Sequence, residues 1–166
     1  HGADAIRMFV LSDSPAEKDL EWSSAGLDGC KKFISRLDAL IAKLPSLQSD
    51  GAVNKKLQTK IHATIKEVSE DIMHYRLNKA IARVRELYNA LSDEMTLDKI
   101  DANGIKEAAK AMVQLLNPFI PHITEELWQK MGNDTPLYKA NWPKFDQSKL
   151  EADSYTMTIQ VKGKLR

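Results

Sequence analysis

One cysteine, Cys30, among 166 residues leaves no internal disulfide and no cysteine-based zinc cluster. A lone thiol fits a reducing compartment, and the expected location is cytoplasmic. No apolar run approaches the roughly 18 residues that a membrane-spanning helix needs, so no membrane contact is expected. The N-terminus lacks the layout of a signal peptide. Histidine is scarce: His1, His62, His74 and His122 are the full set. None has a Cys or His partner at metal-ligand spacing, so no metal site is expected. There is no Gly-rich phosphate loop, no Gly-x-Ser-x-Gly elbow and no basic-aromatic strand of the RNA-binding type. The sequence therefore predicts no catalytic residue. What is present is the balance of a soluble globular domain, 43% apolar and 28% charged.

Net charge is only +1, yet the charges are unevenly placed. Residues 1–50 hold six basic and eight acidic groups, and residues 91–132 hold four and seven. Residues 51–90 hold eight basic against four acidic, and residues 133–166 hold six against four. A polyanion could thus meet a locally basic face on a neutral protein, although outward charge is also what any solvated helix shows.

Apolar residues recur with helical period up to residue 131. Ile6, Phe9 and Val10 predict a short helix ending near Ser12–Pro15. A second follows Ser23/Ser24, which can cap its first turn, and runs along Cys30, Phe33, Ile34, Leu37, Leu40, Ile41 and Leu44 to Pro45. Cys30 lies on that apolar stripe and reads as a small core residue. Val53, Leu57, Ile61, Ile65, Val68 and Ile72 form a third stripe, and Leu77, Ala80, Ile81, Val84, Leu87, Tyr88 and Leu91 a fourth. No Gly or Pro separates these two, but the phase breaks: a continuous helix would put Arg76 and Lys79 on the apolar face. Two helices with a tight break at 74–78 are predicted, with Asn78 as the N-cap. A fifth helix covers about 102–117. Pro121 opens a sixth, where Glu125 and Glu126 suit the dipole, His122 is expected to bond nearby backbone, and Gly132 marks the stop. After a turn-rich stretch, Tyr155, Met157, Ile159 and Val161 alternate with polar residues, the pattern of a strand with one apolar face. Its partners would have to follow Arg166, so the chain reads as a piece of a longer protein. The expected fold is all-α, an antiparallel helix bundle with a short β-strand at the C-terminus.

Binding is the better functional prospect. Lys32, Arg36 and Lys43 align on the outer side of the second helix. Arg76, Lys79 and Arg83 align at the start of the fourth, and Lys56 and Lys60 add a pair on the third. Such rows can grip successive phosphates, contacts that position a nucleic acid without reading its bases. Trp22 could stack on an unpaired base or anchor its loop.

Several segments carry a family resemblance. Gly2-Ala3-Asp4-Ala5-Ile6-Arg7-Met8-Phe9 resembles the helix after the catalytic signature loop of class I aminoacyl-tRNA synthetases. Asn117-Pro118-Phe119-Ile120-Pro121-His122-Ile123-Thr124-Glu125-Glu126-Leu127-Trp128 is similar to a motif of the Leu, Ile and Val branch. Asp19-Leu20-Glu21-Trp22-Ser23, Asn141-Trp142-Pro143 and the closing Ile159-Gln160-Val161-Lys162-Gly163-Lys164-Leu165-Arg166 resemble the bacterial-type leucyl-tRNA synthetase family. Lys162 departs from that family's usual Asn.

The resemblance implies an anticodon-binding bundle that holds tRNA(Leu) for leucylation by a catalytic domain lying elsewhere, in a monomeric parent. It also implies a division into 1–22, a linker helix and loop after the catalytic domain; 23–132, the bundle; and 133–166, a connection and the first strand of a truncated C-terminal domain. ATP and Mg²⁺ are implied for the parent. Both ATP-binding signatures are missing here, so no cofactor and no catalysis are expected of this piece. The expected tRNA contacts, chosen from the stripes, are Lys32, Arg36, Arg76, Lys79 and Arg83, then Lys56 and Lys60. The alternatives are the same bundle from a valyl- or isoleucyl-tRNA synthetase, which Glu21-Trp22-Ser23 argues against, or a helical scaffold for protein partners, which would show a large exposed apolar patch.

Overall fold

The computed structural model describes residues 2–15, 17–48, 51–150, 160–161 and 164–165. Among the described residues, six α-helices carry the fold: α1 (Ala3–Asp13), α2 (Ser24–Lys43), α3 (Lys55–Met73), α4 (Leu77–Glu94), α5 (Ala102–Leu116) and α6 (Pro121–Lys130). Their apolar stripes meet in one core, with Leu37, Ile61, Ile81, Leu87, Met112 and Leu115 fully enclosed. Of the strand expected over 155–161, residues 155–159 lie outside the described residues. Gln160–Val161 make only a two-residue antiparallel pairing with Lys164–Leu165. The apolar-faced strand is therefore not supported, and the fold class is corrected to an all-α bundle.

Three helix starts are held by their own side chains. Ser23 Oγ accepts from Gly26 N–H at 3.1 Å, Asn54 Oδ1 from Leu57 N–H at 3.1 Å, and Asp101 Oδ1 from Gly104 N–H at 2.9 Å. Asp101 does more, because its other oxygen accepts the Asn54 N–H at 2.9 Å while its own N–H donates to Glu94. The start of α3, the end of α4 and the start of α5 are thus tied at one point. This fixes the three as an up–down–up set.

α1, assigned from the sequence to a linker, packs into this core through Ala5, Met8 and Phe9. It also clamps the joint between α5 and α6. Arg7 donates to the Phe119 and Pro118 carbonyls at 2.9 and 3.0 Å, while Asp4 accepts the Ile123 N–H at 2.6 Å. A cation at one helix end and an anion at the next helix start both suit the helix dipoles. His122 does not bond backbone as expected. Its Nδ1 lies 2.8 Å from Asp4, because that carboxylate is already held over the first turn of α6. The segment from Asn117 to Trp128 is thus an architectural joint. Thr124 bridges the Ile120 and Pro121 carbonyls, Glu125 accepts the Leu137 and Tyr138 N–H groups, and Trp128 Nε1 donates to the Thr135 carbonyl.

Residues 133–150 return as a strap across α3. Trp142 Nε1 donates to Ser69 Oγ at 2.8 Å, and the Asp146 N–H donates to His62 Nδ1 at 3.1 Å. Burial, and then the charge of Lys149, push the His62 pKa below 6.5, against the opposing pull of Glu107 and Asp146. The neutral ring is the form that accepts from Asp146. The unfolded chain takes up a proton near pH 6.5 that the folded chain resists, so His62 makes stability fall as pH drops below about 6.5. Thermal melts at about pH 7.5 and about pH 5.5 should show a larger loss of Tm for the native chain than for His62→Asn, whose carbonyl keeps an acceptor that does not titrate.

Candidate nucleic-acid interface

The break between α3 and α4 falls where the apolar phase places it, but its chemistry differs from the expectation. Arg76, not Asn78, occupies the N-cap position, and no side chain caps the first turn of α4. The corner is closed by backbone instead. The Tyr75 N–H donates to the Ile72 carbonyl at 3.0 Å and the Arg76 N–H to the Asp71 carbonyl at 2.8 Å. Tyr75 takes φ +56°, and it is the only non-glycine residue with positive φ among the described residues. A tyrosine in that region costs on the order of 1 kcal/mol relative to glycine.

Beneath the corner lies Asp71, 1% exposed. Arg76 Nε and Arg83 Nε each donate to one of its oxygens at 2.6 Å, and Arg83 Nη1 reaches Glu67 at 2.6 Å. Burial pushes the Asp71 carboxyl up, but the hydrogen bonds and charges of Arg83 and Arg76 outweigh it and hold the group below the ordinary carboxylate range. Asp71 in turn raises the Arg83 pKa. Further along the hairpin, Lys60 pairs with Glu86 at 2.7 Å. Three of the seven cations expected to face phosphate are therefore engaged within the α3–α4 hairpin.

The other four stand exposed, and among the described residues none of them makes an ion pair. Lys56 and Lys79 lie at opposite ends of the α3–α4 hairpin, because the two helices run antiparallel. Lys56 shares a shallow depression with Asp93 and Glu94, which offset its field. Lys79 stands one turn beyond the exposed corner made by Met73, His74 and Tyr75. On α2, Lys32 and Arg36 line an open depression together with Asp28, Lys31 and Ser35. Lys31 falls outside the row because it is next to Lys32 in sequence, about 100° around the helix, rather than one turn away. The structure thus offers a basic patch on α2, and Lys79 as an exposed cation at the start of α4. Among the described residues no group of three His, Cys, Asp or Glu side chains could hold a metal ion, and no helix is long and apolar enough to cross a membrane.

Trp22 is 58% exposed and meets Phe9 edge-on, with ring centroids 5.5 Å apart, so it is partly anchored and partly open. Cys30 is buried, with Arg85 Nη2 donating to its Sγ at 3.4 Å. The guanidinium of Arg85 lies over Phe33, 5.2 Å from the ring centre.

Residues 54–166 match the family model described as the anticodon-binding domain of tRNA ligase. The chain belongs to this family. Leucine–tRNA ligases of Rickettsia massiliae (strain Mtu5) and Rickettsia canadensis (strain McKiel) are each 56% identical to it over 100% of its length, and it covers 20% of each of them. The chain thus spans about a fifth of the length of these relatives. It also resembles LeuRS of Agrobacterium radiobacter K84, solved as a ternary complex with tRNA and LeuAMS. The TM-score is 0.83 and the identity 24%, over 99% of this chain and 22% of that one. That likeness concerns the fold: the arrangement of the six helices has a counterpart in a solved structure.

Proposed function

We propose that this anticodon-binding domain holds tRNA(Leu) within a leucine–tRNA ligase, so that the acceptor end reaches a catalytic site carried elsewhere in the parent. The observation that carries the reading is the 56% identity to leucine–tRNA ligases along the whole chain. It also favours the leucine enzyme over the valine and isoleucine ones. The cations that make no ion pair among the described residues supply the means: Lys31, Lys32 and Arg36 on α2 and Lys79 on α4 grip phosphate, with Lys56 weaker. Arg76, Arg83 and Lys60 act mainly as braces of the hairpin. Contacts of this kind position the tRNA, and positioning is how a non-catalytic domain contributes to rate.

ATP and Mg²⁺ belong, in this reading, to the catalytic part of a monomeric cytoplasmic parent. Ile6, Val10, Leu20 and Trp22 are all exposed around α1, an apolar surface suited to contact with the remaining domains. The reading is tested by filter binding of tRNA to the full-length parent across a salt series. It predicts log K falling linearly with log salt, by about 0.7–0.9 per phosphate contact, and a shallower slope once α2 loses Lys31, Lys32 and Arg36. A slope unchanged by that loss would remove α2 from the interface.

A further inference from the structure

We infer that Tyr75 is a stacking platform for a nucleobase of the bound RNA, an inference that rests on the tRNA-holding reading. Tyr75 occupies the left-handed region at φ +56°, where glycine is the default residue. The residue is 78% exposed, and among the described residues its ring makes no ring or cation contact. The chain thus bears the strain of a tyrosine here without a packing return, which is the situation in which strain points to function.

The corner that presents the ring is rigid. The backbone bonds of Tyr75 and Arg76 close it, His74 N–H donates to the Glu70 carbonyl at 3.2 Å, and His74 Nδ1 lies 2.7 Å from the same oxygen. Underneath, the buried Asp71 carboxylate holds both Arg76 and Arg83. The backbone of this corner is ordered before binding, which leaves only the side-chain torsions of Tyr75 to be fixed by a ligand.

The setting selects the occupant. Lys79, exposed and without an ion pair among the described residues, stands in α4 one turn along from Tyr75, and Arg76 keeps 40% of its side chain open to solvent. Cations beside an open aromatic face match a nucleotide, which brings a flat base and a phosphate together. Met73, also 78% exposed, widens the apolar surface on which a base can lie. Stacking of this kind tolerates any base and adds grip without sequence readout.

The test uses the full-length parent with tRNA as probe, comparing Tyr75→Gly, Tyr75→Phe and the native residue. Glycine relieves the left-handed strain, so Tyr75→Gly should keep its Tm at or above the native value. It should nevertheless bind tRNA about five- to hundredfold more weakly, with an unchanged salt slope, because stacking releases no counterions. Tyr75→Phe should bind within about twofold of native. Native affinity in Tyr75→Gly would overturn the inference and leave the tRNA-holding reading intact. If affinity is native and contact with another part of the parent is lost instead, the corner is a protein-docking site. A native parent whose tRNA affinity does not respond to removal of the α2 cations and Lys79 would overturn the underlying reading itself.

Discussion

Replacing Asp71 with alanine should destabilise the chain by about 3 kcal/mol, measured by urea unfolding near neutral pH. Removing one partner from a buried ion cluster typically costs about 3–5 kcal/mol, since the surviving charges are left without compensation. The low end applies because the Arg76 and Arg83 side chains are 40% and 33% exposed and can recover water. Arg83→Ala should cost less than Asp71→Ala, because Arg76 still neutralises the carboxylate. The sign with pH follows from the lowered Asp71 pKa. The stabilisation is present above the unfolded carboxyl pKa near 3.8 and is lost as pH falls through the folded one. Asp71→Ala should therefore melt well below the native chain at neutral pH, with the gap narrowing under acid conditions. Equal stability at neutral pH would show that the cluster does not brace the hairpin.

Neutralising the exposed cations should act on binding and not on stability. The variant Lys31→Ala, Lys32→Ala, Arg36→Ala and Lys79→Ala removes four groups that make no ion pair among the described residues. Its Tm should stay near native, since surface charges outside networks contribute little. Its affinity for tRNA should fall about a hundredfold at low salt, and the slope of log K against log salt should become shallower by about 3, at 0.7–0.9 per lost contact. Losing Lys60 and Arg83 instead should do the reverse, lowering stability while changing the slope little, because Glu86, Glu67 and Asp71 already hold those groups.

This contrast shows where the sequence was legible. A row of cations on one helix can be read from spacing, and the α2 row Lys32, Arg36 and Lys43 does lie exposed. Whether a cation is available depends on the neighbouring helix, and single-helix spacing carries no information about that. Lys60 meets a glutamate 26 residues away, and Arg83 meets Glu67 and Asp71 across the hairpin. The α3–α4 break was legible for a similar reason, since the apolar stripe shifts phase at Leu77. Its mechanism was not, because a tyrosine in the left-handed region leaves no local signature. Asn78 has the right residue type for a cap and lies two residues too late.

Pro121 and Ser23 acted as read, because both signals are local. The strap was legible as a turn-rich stretch, but its anchors at Ser69 and His62 lie 73 and 84 residues away. Asp4 and Arg7 escaped notice for the same reason, being contacts of α1 with a joint more than 100 residues further on. The family motif from Asn117 onward was visible as a pattern. Its role in clamping α1, α5, α6 and the strap emerged only from the fold.

The most direct measurement is recovery and sequencing of the tRNA that the purified full-length parent retains from a total bacterial pool, at low and at higher salt. Native protein should retain tRNA with leucine acceptors enriched, the retention fading with salt, and the four-cation variant should lose most of it. Retention by that variant equal to native, at every salt concentration, would contradict the account.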